Sequence, residues 1–231
     1  MKTIGLLGGM SWESTLLYYR LLNTGVAEQL GGVHSARIAM YSVDFHGIEA
    51  LQRSGNWEEA GRQLAAAALR VQQAGADFLI IATNTMHLVE PAISAQLSIP
   101  ILHIADATGE EIRAAGISTV GLLGTGFTMD QDFYKGRLRE RFGLRVLVPG
   151  AEERTDVHRI IFEELIHGRI VVSSRARYME VIERFVQAGA EGVILGCTEI
   201  GMLVGSDPPQ VPLFDTTEIP AAAAVRYALA D

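Results

Sequence analysis

The chain repeats itself once, and that repeat limits what it can fold into more than any other feature. Ala74-Gly75-Ala76-Asp77 resembles Ala188-Gly189-Ala190-Glu191 at an offset of 114, and each block leads into an apolar run. Thr83 and Cys197 stand at the same offset, each nine residues after the first alanine of its block. Upstream, Thr3-Ile4-Gly5-Leu6-Leu7-Gly8 matches Thr119-Val120-Gly121-Leu122-Leu123-Gly124 at an offset of 116. Downstream, Ile99-Pro100-Ile101-Leu102 matches Val211-Pro212-Leu213-Phe214 at 112. Three matches in order, at a nearly constant offset, mark one structural unit used twice.

Short apolar runs bounded by turn residues read as strands at Thr3–Leu7, Arg37–Ser42, Phe78–Ala82, Pro100–Ile104, Thr119–Leu123, Leu144–Val148, Gly192–Leu195 and Val211–Phe214. Helical stretches lie between them. Glu58–Ala74 is rich in Ala and Leu and stops at Gly75, and Arg175–Ala188 stops at Gly189. Thr108 and Glu111 have capping-box spacing before Ile112. Strands alternating with helices imply βα units and parallel sheets. Phe78-Leu79-Ile80-Ile81 is apolar throughout, as a strand covered on both faces should be. The expected fold is α/β: two similar lobes, each a parallel sheet flanked by helices, related by a pseudo-twofold. Residues 1–98 plus 211–231 should form the first lobe and 99–210 the second. Ligands of parallel α/β sheets bind at the carboxyl ends of strands. Facing lobes would therefore direct Thr83 and Cys197 at one cleft from opposite sides.

Composition narrows the function. Of 231 residues, 48% are hydrophobic and 20% charged, which excludes intrinsic disorder. A net charge of −8 argues against partners such as nucleic acid or an anionic membrane, so an anionic small substrate would need local donors. The single cysteine makes an internal disulfide framework impossible. Ile4 to Met10 carries three glycines and reads as a buried strand rather than a signal peptide, and no run approaches a membrane span. A soluble, cytoplasmic protein is expected.

Cys197 lies in Gly196-Cys197-Thr198-Glu199, at the end of an apolar strand. A thiol there is either a nucleophile or base tuned by backbone donors, or an inert buried cysteine. Thr83-Asn84-Thr85 is a dense polar group in the mirrored place. Gly8-Gly9-Met10-Ser11 and Gly124-Thr125-Gly126-Phe127-Thr128 are the paired loops after the first strand of each half. Their amides and hydroxyls suit a carboxylate, although ordinary turn chemistry uses the same residues. Neither loop has dinucleotide or P-loop spacing. Among the six histidines, His34, His46, His87, His103, His158 and His167, none pairs at metal-ligand spacing with another His or Cys. No metal site is expected, and satisfied core or surface histidines are the default. Gln52, Arg53 and Trp57 read as a polar loop before a helix, and Glu163-Glu164 and Arg175–Arg177 as solvated helix faces.

These residues together resemble the aspartate/glutamate racemase family of cofactor-independent amino-acid racemases, over essentially the whole chain. Val193 to Ile200 is similar to the family's second cysteine signature. Ile81-Ala82-Thr83-Asn84-Thr85 is similar to the first, Cys-Asn-Thr, with Thr83 in the cysteine place. The opening Gly5 to Ser11 and Gln52-Arg53 ahead of Gly55 and Trp57 also fit, most closely in the bacterial branch specific for L-aspartate and L-glutamate. The resemblance implies two lobes with the active site in the cleft, no cofactor and no pyridoxal phosphate, an amino-acid substrate and a homodimer. It implies Cys197 and Thr83 as the catalytic pair. It further implies Asn84, Thr85, Thr125, Thr128 and Thr198 at the substrate carboxylates, the Met10 backbone beside them and Gln52 in orientation. With one cysteine in the chain, Thr83 has no thiol to replace it, and a threonine hydroxyl is too weak an acid to rest as a base. The expectation is a racemase working well from one enantiomer and poorly from the other, with an equilibrium constant near one. Two other readings stay open: a one-cysteine decarboxylase of substituted malonates, and a non-catalytic binder of dicarboxylates or amino acids.

Overall fold

A computed structural model of the chain describes residues 1–205 and 209–230. The chain begins with β1 (Ile4–Gly8), α1 (Trp12–Leu30), β2 (Ile38–Ser42), α2 (Phe45–Ser54), α3 (Trp57–Gln73) and β3 (Phe78–Ile81). A 3-10 turn at Thr85–Val89 runs into α4 (Glu90–Ser94), and α5 (Ile104–Ala114) follows. Then come β4 (Thr119–Gly124), α6 (Gly126–Asp130), α7 (Asp132–Phe142), β5 (Arg145–Leu147), α8 (Ala151–Glu163) and α9 (Val172–Gln187). The last elements are β6 (Gly192–Gly196), α10 (Ile200–Val204), β7 (Leu213–Asp215) and α11 (Glu218–Leu229). They form two compact units, Met1–Ile104 with Pro220–Asp231, and Ala105–Ile219.

In the first unit the strands are parallel in the order β2-β1-β3. Side chains alternate across this sheet with the period of two that strands impose. Ile4, Leu6, Phe78 and Ile80 face α1 and α11, against Tyr18, Leu22, Val26, Ala221, Ala224 and Ala228. Leu7, Leu79 and Ile81 face the other way, against Leu64, Ala68 and Val71 of α3. Both faces are dry, which is why these strands read as unbroken apolar runs.

The second unit repeats the plan with parallel strands in the order β5-β4-β6-β7. Leu123, Val193 and Leu195 pack on Val157, Ile161, Val181 and Ile182 of α8 and α9. The repeated Ala-Gly-Ala-acid block has one physical task in both units. Its glycine takes φ 91° in each copy, which an L side chain resists. Its acid then caps the first strand. Asp77 Oδ2 accepts from Thr3 N at 2.6 Å, and Glu191 Oε2 accepts from Ser118 N at 2.8 Å and Thr119 N at 2.9 Å.

Several expectations from sequence need correction. The units divide at 104/105 and 219/220 rather than at 98/99 and 210/211. Hydrogen bonding explains the shift: Leu79 bonds to Pro100 O and Leu102 N, and β7 pairs with β6, so each of these segments stays with its own sheet. The strand expected at Pro100–Ile104 reduces to a single parallel bridge between Leu79 and Ile101, because α5 begins at Ile104. Thr108 is consequently inside α5 and caps nothing. It is fully buried and accepts from the Tyr134 hydroxyl at 3.3 Å. Gln52 and Arg53 form the last turn of α2 and Trp57 opens α3, so no long polar loop precedes that helix. Arg177 is bound to Asp156 at 2.9 Å and to Glu180 at 3.0 Å rather than merely solvated.

Leu22 is fully buried between β1 and α11, so Leu22→Ala should cost about 2–5 kcal/mol, read as a lower urea midpoint. The N–H of Ser118, then that of Thr119, hold the Glu191 carboxyl below its ordinary value of 4.5. A carboxyl lowered on folding stabilises at pH above the unfolded value and ceases to do so as pH falls through the folded one. The melting-temperature gap between wild type and Glu191→Gln should therefore narrow as the pH is taken below about 4.5.

Candidate active site

Each unit carries a cluster of candidate residues at its strand ends. In the first unit β1 and β3 are register partners, Leu7 opposite Ile81. The residues just beyond them, Met10 and Thr83, thus leave the sheet at adjacent strand ends. Gly9 makes the turn possible: its φ is 92°, and a Cβ there would lie 2.2 Å from Val43 O. Beyond it Ser11 caps α1, its Oγ accepting from Ser14 N at 3.3 Å and lying 3.1 Å from Ser14 Oγ. Thr83 is half-buried, whereas Asn84 and Thr85 are buried beside it. Gln52 is buried on the last turn of α2.

Two histidines support this half. His87 Nδ1 is 2.8 Å from Thr83 O, and Ile104 N donates to His87 Nε2 at 3.3 Å. An accepting Nε2 leaves the ring proton on Nδ1, so the neutral ring donates to the Thr83 carbonyl. His103 packs edge-on against His87 with ring centroids 4.5 Å apart.

The second unit has the same layout with different chemistry. Gly124 pairs with Gly196 at the ends of β4 and β6, and one residue further stand Thr125 and Cys197. Thr125 caps α6, its Oγ1 accepting from Thr128 N at 3.3 Å and lying 3.2 Å from Thr128 Oγ1. This is the counterpart of the Ser11–Ser14 pair. Cys197 is half-buried, and Thr198 and Glu199 are buried behind it.

Glu199 organises this half. Its Oε2 accepts from the Cys197 thiol at 3.0 Å and from the Thr198 hydroxyl at 2.6 Å. Burial first, then the charge and hydrogen bond of Glu199, and lastly the Asp215 carboxylate push the Cys197 thiol well above its ordinary value. The resting sulfur is therefore a protonated thiol, ready to give a proton, with a carboxylate in place to take one. Burial likewise raises Asp215, which accepts from Thr217 N at 2.7 Å. Beneath them the Tyr178 hydroxyl donates to Val157 O at 3.1 Å.

Each unit thus brings together the residues expected of it: Met10, Thr83, Asn84 and Thr85 in one, Thr125, Thr128, Cys197 and Thr198 in the other. The roles of Glu199, Ser14, His87 and Asp215 were not read from sequence. Glu199 had a signal, standing two residues after the thiol; Asp215 had none, since only the pairing of β7 on β6 brings it near. Among the described residues, no three His, Cys, Asp or Glu side chains are grouped to hold a metal ion, and no helix is long and apolar enough to cross a membrane.

Comparison with known proteins agrees with this architecture. A sequence model of the Asp/Glu/hydantoin racemase family matches residues 7–224. The structure is similar to that of a candidate Asp/Glu racemase from Yersinia pestis, with a TM-score of 0.93 and 51% identity over 100% of both chains. It is also similar to an aspartate racemase homologue from Pyrococcus horikoshii OT3, with a TM-score of 0.85 and 37% identity over 99% of both. In sequence it is 23% identical to the broad specificity amino-acid racemase RacX of Bacillus subtilis (strain 168), over 75% of this chain and 74% of that one.

Alkylation of Cys197 tests the electrostatics without any substrate. Its rate should keep rising with pH beyond the ordinary thiol range, because only the thiolate reacts. Glu199→Gln removes the charge that raises the thiol, so the profile should move to lower pH; an unmoved profile would refute the Glu199 effect.

Proposed function

The chain belongs to the Asp/Glu/hydantoin racemase family, and on that footing we propose that it interconverts L- and D-aspartate or glutamate without a cofactor. In this reading Cys197 acts at one face of the substrate Cα and Thr83 at the other. The observation that carries it is their equivalent placement. Each stands just past the end of the strand beside the central one, half-buried, followed by two buried polar residues. Mirror-image products need an acid and a base on opposite faces, and a duplicated fold supplies such positions.

The proton path follows from the groups present. The Cys197 thiol passes its proton to Glu199, and the thiolate removes Cα–H. The electron pair left on the substrate spreads into the α-carboxylate. Preorganised donors stabilise that charge: the hydroxyls of Thr85, Thr125, Thr128 and Thr198, the Asn84 amide and the Met10 backbone, with Gln52 orienting the substrate. The Thr83 hydroxyl, or a water it holds, then protonates the opposite face. The oxyanion left there and the protonated Glu199 return to their resting forms by exchange with solvent. In the reverse direction Thr83 must act as the base, which its hydroxyl does poorly at neutral pH.

The asymmetry has a definite form. The enantiomers have equal free energy, so kcat/KM must be the same in both directions; only kcat and KM can differ separately. Solvent exchange reports it more directly. Cys197 can remove and return a proton on its own face, so one enantiomer should exchange Cα–H faster than it inverts.

The raised thiol also favours a second reading in which Cys197 only donates a proton, to a carbanion formed by decarboxylation of a substituted malonate. Release of carbon dioxide from a malonate panel, with no amino-acid exchange, would select it. We further propose a cytoplasmic homodimer. Trp12, Leu16 and Tyr19 recur on one face of α1 and are 64%, 60% and 49% exposed, an apolar stripe suited to a second copy.

Proton NMR in D₂O with each enantiomer of aspartate and glutamate tests the main reading. Cys197→Ala should lower exchange by about 10²–10⁴-fold with the fold intact. Thr83→Cys should bring the exchange of the two enantiomers together. Wild-type exchange in Cys197→Ala would refute the mechanism. In gel filtration, Leu16→Glu should shift a dimer to monomer.

A further inference from the structure

His158 has no part in the chemistry above, yet it is bonded to the loop that carries two of the proposed substrate hydroxyls. It stands half-buried on α8, and its Nδ1 accepts from Gly126 N at 3.0 Å. Gly126 is the first residue of α6, between the capping Thr125 and its partner Thr128. An amide in the first turn of a helix has no acceptor within that helix, and the imidazole supplies one. The ring is seated between aromatic neighbours, Phe162 with a centroid 4.7 Å away and Phe127 at 6.0 Å. Thirty-two residues of sequence separate donor and acceptor, so the contact is tertiary.

An accepting Nδ1 requires the neutral ring, with its proton on Nε2. Once protonated, the ring would turn an N–H toward the Gly126 N–H, and the loop would lose its anchor. The charged groups facing the ring are few. Asp130 of α6 favours the cation, but it is paired with Arg154 of α8 at 3.0 Å, which blunts its pull. Burial opposes the cation and is the larger effect, holding the ring below its ordinary value of 6.5. A cavity lies beside the ring, and its other polar lining residues, Gln131 and Thr155, are uncharged.

We infer that His158 is a positioning residue: its neutral imidazole fixes the Thr125–Thr128 loop through the Gly126 amide, and its protonation releases that loop. The inference rests on the reading of Thr125 and Thr128 as substrate-binding groups. Its consequence is that substrate binding weakens in acid. KM for aspartate or glutamate rises as pH drops below the ordinary histidine range, and kcat falls with it, because the same hydroxyls steady the charge that develops on the substrate.

Two variants and two readouts test it. Asn places an amide oxygen close to where Nδ1 lies and does not titrate, so His158→Asn should keep a near-normal KM and flatten its acid limb. His158→Leu removes the acceptor at every pH and should raise KM about tenfold, the worth of one net hydrogen bond. Independently of turnover, hydrogen exchange of the Gly126 amide, corrected for its intrinsic rate, should lose protection in acid in the wild type. It should keep protection in His158→Asn and lack it throughout in His158→Leu. An acid limb that survives His158→Asn, or Gly126 protection indifferent to both pH and His158→Leu, overturns the inference. If protection follows the ring but no amino acid binds or turns over, the His158 anchor stands and the racemase reading falls.

Discussion

Parallel pairing of a central strand with its neighbour, β1 with β3 and β4 with β6, is the constraint from which the rest follows. Parallel strands end on the same side of their sheet, so pairing them in register brings two loop starts together. In one unit these are the loops of Met10 and Thr83, in the other those of Thr125 and Cys197. The pairing itself depends on an acid that caps the first strand of each sheet, Asp77 on Thr3 and Glu191 on Ser118 and Thr119. It depends also on two dry faces, which leave the backbone no partner except its neighbour. A slip of one residue would turn Leu7 and Leu123 away from their cores and move both candidate catalytic residues from the strand ends.

Identical scaffolding has been given opposite chemistry in the two halves. Beside Thr83 stand His87, whose neutral ring donates to the Thr83 carbonyl, and His103, packed edge-on against that ring. Beside Cys197 stand Glu199 and Asp215, carboxylates that raise the thiol and offer it a proton acceptor. A thiol can serve as acid or base and repays such tuning. A threonine hydroxyl cannot be brought into the working range by one or two neighbours, so the structure there holds its backbone in place rather than adjusting its acidity. The single cysteine thus changes what the surrounding residues are for.

The Thr125–Thr128 capping pair puts folding and the proposed substrate binding on the same atoms. Ser11 with Ser14, and Thr125 with Thr128, terminate short turns after the central strands. Their hydroxyls satisfy amides, as caps do, at the ends of the central strands. On the second unit the His158 ring anchors the Thr125–Thr128 loop from outside.

Much of this was legible in the order of residues. Apolar runs covered on both faces, glycines at φ 91° and the repeated acid are local signals, and they determined two parallel sheets with Thr83 and Cys197 in equivalent places. The cysteine count determined that any thiol chemistry has a single thiol to use. What sequence missed was nonlocal or competed with a nearby pattern. Thr108 had the spacing of a cap, but α5 starts four residues earlier and buries it. The chain was expected to change units at 210/211, whereas the pairing of β7 with β6 holds it in the second unit until Ile219. The bond of Gly126 to His158 and the approach of Asp215 to the thiol were likewise decided only on folding. Hydrogen bonds and charges act over a few ångströms in space, and only the packed chain sets which distant residues come that close.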